Sequence, residues 1–467
     1  MLRYAATPAV SRRAALKAAA GGFGYLAFAG LAAADADPLA PKAPHFPPRA
    51  KRVIFLCMAG GPSHVDTFDH KPKLTADDGK APPSGQGRGF LAGKLLASPF
   101  KFSRQGKSGL WMSELFPELG KVADELCLLN GMHTNVPAHP QAFLQLHTGT
   151  SQFVRPSLGA WTLYGLGTEN QNLPGFVSVN PPTQNGGAQN YGSSFLPAAY
   201  QGTKLGNEAR FAFGPQAAGG PAKMANITNP KLGAAAQRAQ LDFVQALNKE
   251  ELARDAVSPE VDGVIESYEL AFRMQRDVPK VMDLSAESKE TQALYGIGAG
   301  ADGFGRQCLL ARRLVEAGVR FVELTYGNWD QHLNLKTAMT GHGAAIDKPI
   351  AGLLADLKRR GLLNDTLIVW SGEFGRTPYA QGSDGRDHNN KGFTAWLAGG
   401  GVKGGFAHGR TDEYGFEAVD GKVHTHDFHA TILHLLGLDH EKLTFRYAGR
   451  DFRLTDVHGT VVKEILA

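Results

Sequence analysis

The sequence predicts an α/β protein: a doubly wound, mostly parallel sheet with helices on both faces, carrying a loop-rich and helical insertion over about 177–300. Two observations predict it. Short apolar runs without polar alternation, such as Val53–Met58 and Thr366–Ser371, read as strands buried on both faces. Segments of helical period lie between several of them, and alternation of this kind builds a parallel sheet. A third observation concerns function. Nearly every strand terminus is followed by His, Asp or Glu, and open parallel sheets gather their functional groups outside the carboxyl ends of strands.

The expected strands, in order, are Val53–Met58, Leu126–Thr134, Val319–Thr325, Thr366–Ser371 and Phe393–Gly401. Glycines stop the helices that precede two of them, at Gly318 and Gly361. Helices are expected over Met112–Glu125, Gly305–Ala317 and His342–Arg360. Val177–Ala225 is rich in Gly, Asn, Pro and Gln and reads as a surface insertion, followed by a polar helical stretch over Lys231–Gly296. In "HTHDFHATILHLLGL" the apolar residues have helical spacing, with Asp427 at the cap and His424 and His426 ahead of the helix.

Residues 1–36 are a different kind of sequence. Arg12-Arg13 precede a short Gly/Ala-rich apolar run that ends in Ala34-Asp35-Ala36. This is the layout of an export signal of twin-arginine type. A Pro-rich linker over 37–50 leads into the α/β domain, 51–467. No later run is long enough to span a membrane, so the mature protein is expected outside the cytoplasm without a transmembrane segment. The formal charge of +5 is spread thinly over 467 residues, with no basic cluster interleaved with aromatics. Nucleic acid is therefore not an expected partner. Three cysteines, Cys57, Cys127 and Cys308, sit mainly among apolar neighbours and read as buried thiols, although one bridge remains open to them.

The candidate site residues follow from the strand ends: His64 and Asp66, Asp330 and His332, Glu373 with Arg376, then His388. If the chain stays extended through Trp329-Asp330-Gln331-His332, Asp330 and His332 share a face and could hold one cation. Carboxylate with imidazole suits zinc, manganese or iron. Each pair alone could equally be a structural hydrogen bond or ion pair, and the set as a whole points to a metal. Ser63 and His64 are adjacent and point opposite ways in an extended chain, which argues against a Ser-His-Asp esterase.

The wording of "SGEFGRTP", "GGPSHVDTFDHKP", "ARRLVEAGVRFVEL…WDQH", "LGAWTLYGLGTENQNLPGFV" and "HDFHATILHLLG" resembles the Domain of Unknown Function 1501 family over nearly everything after the linker. That family is similar to the alkaline phosphatase superfamily, with its sulfatases and metal-type phosphoglycerate mutases. The resemblance implies an alkaline phosphatase-like fold and a divalent metal site, zinc or manganese, of one or two ions. It implies hydrolysis of a phosphate or sulfate ester, on a small molecule or a glycan. Leu146-His147-Thr148-Gly149 resembles a sulfatase motif, and counting back puts the nucleophile's position on His139. Asp330 and His332 match one phosphatase metal pair in type, with shorter spacing. Glu373 takes the Asp position of the other pair, Phe374 replaces its His, and His388 matches the last metal-binding His. His64 and Asp66 lie nearest the first-strand ligand, and Arg376 would hold the anionic group. A phosphatase-like scaffold without turnover, binding a metal, a glycan or a protein partner, is the second reading.

Overall fold

The computed structural model describes residues 37–83, 93–206, 231–254, 259–298 and 303–467, with Ala222, Met224 and Ile227. The export-signal reading of 1–36 lies outside these residues. Among them, nine strands share one sheet. In chain order they are β1 (Arg52–Met58), β2 (Leu126–His133), β3 (Phe176–Val179), β4 (Thr203–Leu205), β5 (Phe321–Tyr326), β6 (Thr366–Ser371), β7 (Phe393–Gly399), β8 (Phe406–His408) and β9 (Val423–His424). Their spatial order is β8-β2-β7-β6-β1-β5-β3-β4, with β9 also pairing β2. β1 runs parallel to both β5 and β6. β7 is antiparallel to β6 and to β2, against the common direction of the sheet.

The central strand shows why the sheet is covered on both sides. Ile54, Leu56 and Met58 of β1 enter one apolar core, and Val53, Phe55 and Cys57 enter the other. A strand with no polar face can only be central. The main helices are α1 (His139–Thr148), α2 (Leu158–Leu166), α3 (Ala234–Arg254), α4 (Pro259–Met282), α5 (Gly303–Glu316), α6 (Leu335–Arg359) and α7 (Thr425–Leu435). α5 and α6 pack into the first core, and α1, α2 and α7 into the second. None of the described helices is long and apolar enough to cross a membrane. All three cysteines are buried and free.

Several expectations are corrected. Leu110–Ser113 is a strand paired with Phe102–Gln105, and only the short turns Pro117–Gly120 and Ala123–Glu125 are helical in the stretch expected as one helix. Pro117 starts a new turn there and Gly120 ends it. Phe176–Val179, expected to open the insertion, is a buried strand in parallel register with β5, and Thr203–Leu205 extends the sheet beyond it. The cap of α7 is His424, not Asp427. Asp427 at the third helical position accepts from the His424 N–H at 2.9 Å, closing a capping box.

The end of β1 admits little change. Gly60 has φ +113°, and a Cβ there would lie 2.6 Å from the Trp329 backbone nitrogen. That nitrogen donates to the Ala59 carbonyl, locking the loop after β5 onto the end of β1. Gly60→Ala therefore meets both a disfavoured backbone and a backbone clash. Denaturant titration is expected to show a loss of at least about 2 kcal/mol; an unchanged midpoint would mean this loop can move away.

Candidate metal centre

Four chain segments meet at the carboxyl ends of β1, β2, β5 and β6. β2 is followed by the turn to α1, whose first residue is His139. β5 is followed by an irregular loop in which Asn328 takes φ +76° and buried Trp329 packs on His342 of α6. β6 is followed by Glu373 and a hairpin, Gly375–Gln381 with Gly385–Asn389, in which Arg376 stands opposite His388.

Asp330 is the focus. Its Oδ1 lies 2.8 Å from His332 Nε2, 3.2 Å from His388 Nε2, 3.3 Å from His139 Nε2 and 2.5 Å from Arg376 Nη2. The two Nε2 atoms of His332 and His388 are 3.0 Å apart. Asp330 and His332 meet through a tight turn, with the His332 N–H on the Asp330 carbonyl, and not along an extended strand.

The far nitrogen of each ring fixes its orientation. His139 Nδ1 donates to Glu373 Oε1 at 2.6 Å, His388 Nδ1 donates to the Pro137 carbonyl at 2.7 Å, and His332 Nδ1 donates to Gln381 Oε1. A neutral imidazole that donates through Nδ1 has a bare Nε2. The ligand atoms of His139, Asp330 and His388 lie within 4.8 Å of one another, and His332 Nε2 adjoins Asp330 and His388 at the rim, an arrangement that needs a cation among them, as protons or as a metal ion. His139 Nε2 is buried and aligned with no hydrogen-bond partner. The donor set, three imidazoles and a carboxylate, fits a divalent transition metal, and each ring carries the outer hydrogen bond typical of a metal-ligating histidine.

With no ion among them, the electrostatics put the positive charge on protons. Burial would raise the Asp330 carboxyl, but close contacts with His139, His332 and His388 and the Arg376 charge hold it far below the usual carboxylate range. Burial pulls His139 down, yet Asp330 and Glu373 together push it up to about 9. Asp330 raises His332, while burial lowers His388. The side chains of His332 and Asp330 remain 34% and 30% exposed, so the cluster is open on one side.

The remaining sequence candidates have other partners. Both Glu373 oxygens accept from the Gly60 N–H, at 3.0 and 3.1 Å, and Oε1 also holds His139. Glu373 thus orients the His139 ring. Arg376 is fully buried and donates to the Gly60, Gly61 and Arg386 carbonyls as well as to Asp330. It sits behind the cluster, with no side facing an incoming anion. Asp66 is held bidentately by Arg386, at 2.7 and 3.1 Å, with Ser63 Oγ on the same carboxylate. His64 Nε2 donates to the Gly415 carbonyl at 2.7 Å, and burial lowers its pKa. His64 and Asp66 therefore belong to a buried pairing network and do not join the Asp330 cluster. Phe374 packs its ring on His139 and His388, with centroids 4.9 and 4.6 Å away.

His424 and His426 face elsewhere. With Asn135, Asp427 and His458 they line a cleft of about 510 Å³. His424 Nε2 donates to Asn135 Oδ1 at 2.9 Å, which ties this cleft to the segment joining β2 to α1. Sequence reasoning missed Gln381 and the Pro137 carbonyl, which orient ligands from ordinary loop positions and leave no pattern to read.

These features define an α/β protein with a histidine–carboxylate cluster at its strand ends. The chain belongs to the family described as "Protein of unknown function (DUF1501)", matched over residues 50–466. No curated protein matches it. Among solved structures it is similar to the PsFucS1 sulfatase from Pseudoalteromonas sp., at 12% identity over 90% of this chain and 72% of that one, with a TM-score of 0.38. It is also similar to the lipoteichoic acid synthase LtaP from Listeria monocytogenes, at 11% identity over 91% and 79%, TM-score 0.39. A TAB5 alkaline phosphatase variant with magnesium bound is similar at 11% identity over 84% and 99%, TM-score 0.36.

If Glu373 orients His139, Glu373→Gln should weaken metal binding about 10- to 100-fold, the usual cost of losing an outer-shell partner. Competition against a chelator measures this, with circular dichroism to confirm the fold. Unchanged affinity would show that the ring needs no such support.

Proposed function

We propose that this protein is an exported, metal-dependent hydrolase of a phosphate or sulfate ester. The observation that carries the reading is the convergence of three Nδ1-anchored histidines, His139, His332 and His388, on one oxygen of a partly exposed Asp330. These four residues would hold a divalent ion, zinc or manganese by their donor chemistry. Such an ion supplies Lewis acidity toward an anionic ester oxygen.

The chain's own groups prepare the place. Arg376 keeps Asp330 ionised, and Glu373 keeps the His139 proton on Nδ1. Phe374 dries the inner wall of the cluster. The open side, at His332 and Asp330, admits substrate. The neighbouring cleft with His424 and His458 has room for part of a small-molecule or glycan ester. His139, expected from resemblance at the nucleophile's position, here presents its nucleophilic nitrogen to Asp330, which supports a ligand role for it.

Arg376 favours the second reading, a metal-binding scaffold without turnover, because its guanidinium is committed to backbone carbonyls. One experiment separates the two. Purified protein reconstituted with zinc or manganese is assayed for metal content and for hydrolysis of aryl phosphate and aryl sulfate. Asp330→Asn is expected to lose one ion per chain and to lower turnover by at least about 100-fold. Equal metal content in Asp330→Asn sinks the site, whereas normal metal content without any hydrolysis leaves the scaffold. Export is checked separately: N-terminal sequencing of protein recovered outside the cytoplasm should begin after Ala36, and retention of the full chain in the cytoplasm would refute it.

A further inference from the structure

A second set of ligand-type side chains lies inside the core. Cys57, His147 and Glu323 are fully buried, and one ligand atom of each lies within 4.8 Å of the other two. Register explains the meeting. In the parallel pairing of β1 with β5, Phe55 stands opposite Glu323 and Cys57 opposite Thr325. Alternate residues share a face, so Cys57, Glu323 and Thr325 point to the side that α1 covers. α1 delivers His147 two turns beyond His139. The Cys57 Sγ to His147 Nε2 distance is 3.9 Å, and His147 Nε2 to Glu323 Oε1 is 3.2 Å. A tetrahedron drawn with ordinary zinc bond lengths has S···N and N···O edges of about 3.6 and about 3.3 Å.

The protons make the case sharper. His147 Nδ1 lies 2.8 Å from the Phe143 carbonyl, which can only accept, so Nδ1 carries hydrogen. A neutral ring then has a bare Nε2, and that atom faces the Glu323 carboxylate. Two acceptors at 3.2 Å need a positive species between them, a proton or a metal ion. A carboxylate in the middle of an apolar strand is costly to keep without one. With a proton, the Cys57 thiol is left with only a long sulfur contact to the ring, 3.9 Å. With a divalent ion, all three groups are used, and thiolate plus carboxylate cancel its charge, as a closed, water-free site requires.

We propose that Cys57, His147 and Glu323 bind one divalent, thiolate-preferring ion, zinc by the chemistry of the donors. The Thr325 hydroxyl, 3.5 Å from Glu323 Oε1, stands beside the site. Binding releases two protons, one from the Cys57 thiol and one from between His147 and Glu323, and the group stays neutral before and after. The ion pins α1 to the sheet and so fixes the helix whose first residue is His139. This inference does not depend on the proposed hydrolase activity.

The test uses full-length protein produced in cobalt-supplemented medium. A thiolate-to-cobalt charge-transfer band is expected in the near ultraviolet, and it should persist in Asp330→Asn, where the imidazole–carboxylate cluster is broken. Cys57→Ser should lose the band and bind one ion fewer per chain. Should Cys57→Ser fail to fold, the double variant Cys127→Ser/Cys308→Ser keeps Cys57 as its only thiol and must retain the band. A wild-type protein without the band, a band unchanged in Cys57→Ser, or its loss in the double variant would each overturn the proposal and leave a proton-bridged pair.

Discussion

Arg376 ties the strand ends into one object. Its guanidinium reaches the carbonyls of Gly60 and Gly61 after β1, the carboxylate of Asp330 after β5 and the carbonyl of Arg386 in the hairpin after β6. Peptide carbonyls turned away from a sheet must find donors, and one planar cation with five N–H groups meets several at once. Full burial of that cation is tolerable because Asp330 supplies the opposite charge. The same contact keeps Asp330 ionised and aimed at the three histidines. Glu373 repeats the device on the other side, joining the Gly60 N–H to the His139 ring. Backbone closure and orientation of the histidine cluster are thus performed by the same two side chains.

The architecture was legible in the sequence because it rests on composition over whole segments. β1, β2, β5, β6 and β7 are mostly apolar without polar alternation and end near glycine, which reads as buried strand. The direction of β7 was not legible, since an antiparallel strand buried on both faces has the same apolar content as a parallel one. Most of Phe176–Val179 was absorbed into an insertion because three apolar residues and a serine between prolines and asparagines carry too little signal.

The site was legible to the level of residue type at strand ends and no further. His388, Asp330 and His332 lie in the cluster, and so does His139, whose place came from a motif count. Charge pattern could not separate Asp330 from Asp66, since both follow a central strand and both meet an arginine. The difference lies in closure. Asp66 and Arg386 are fully buried and bidentate, so their ligand capacity is spent, while Asp330 keeps an exposed side. Glu323 had a signal that went unused: a lone carboxylate inside "RFVELTY", an otherwise apolar run.

The register of β1 also sets an order of events during synthesis. β1 emerges early, yet its two neighbours, β5 and β6, come from the last third of the chain, with Val53 beside Phe321 and Leu367. At ordinary translation speeds the most apolar strand waits on the order of tens of seconds for its first partner. Until then its edges and both its faces must be shielded by something other than its own sheet, and no partial chain can assemble the histidine cluster. A nascent chain of this protein therefore carries its central strand unpaired through most of its synthesis.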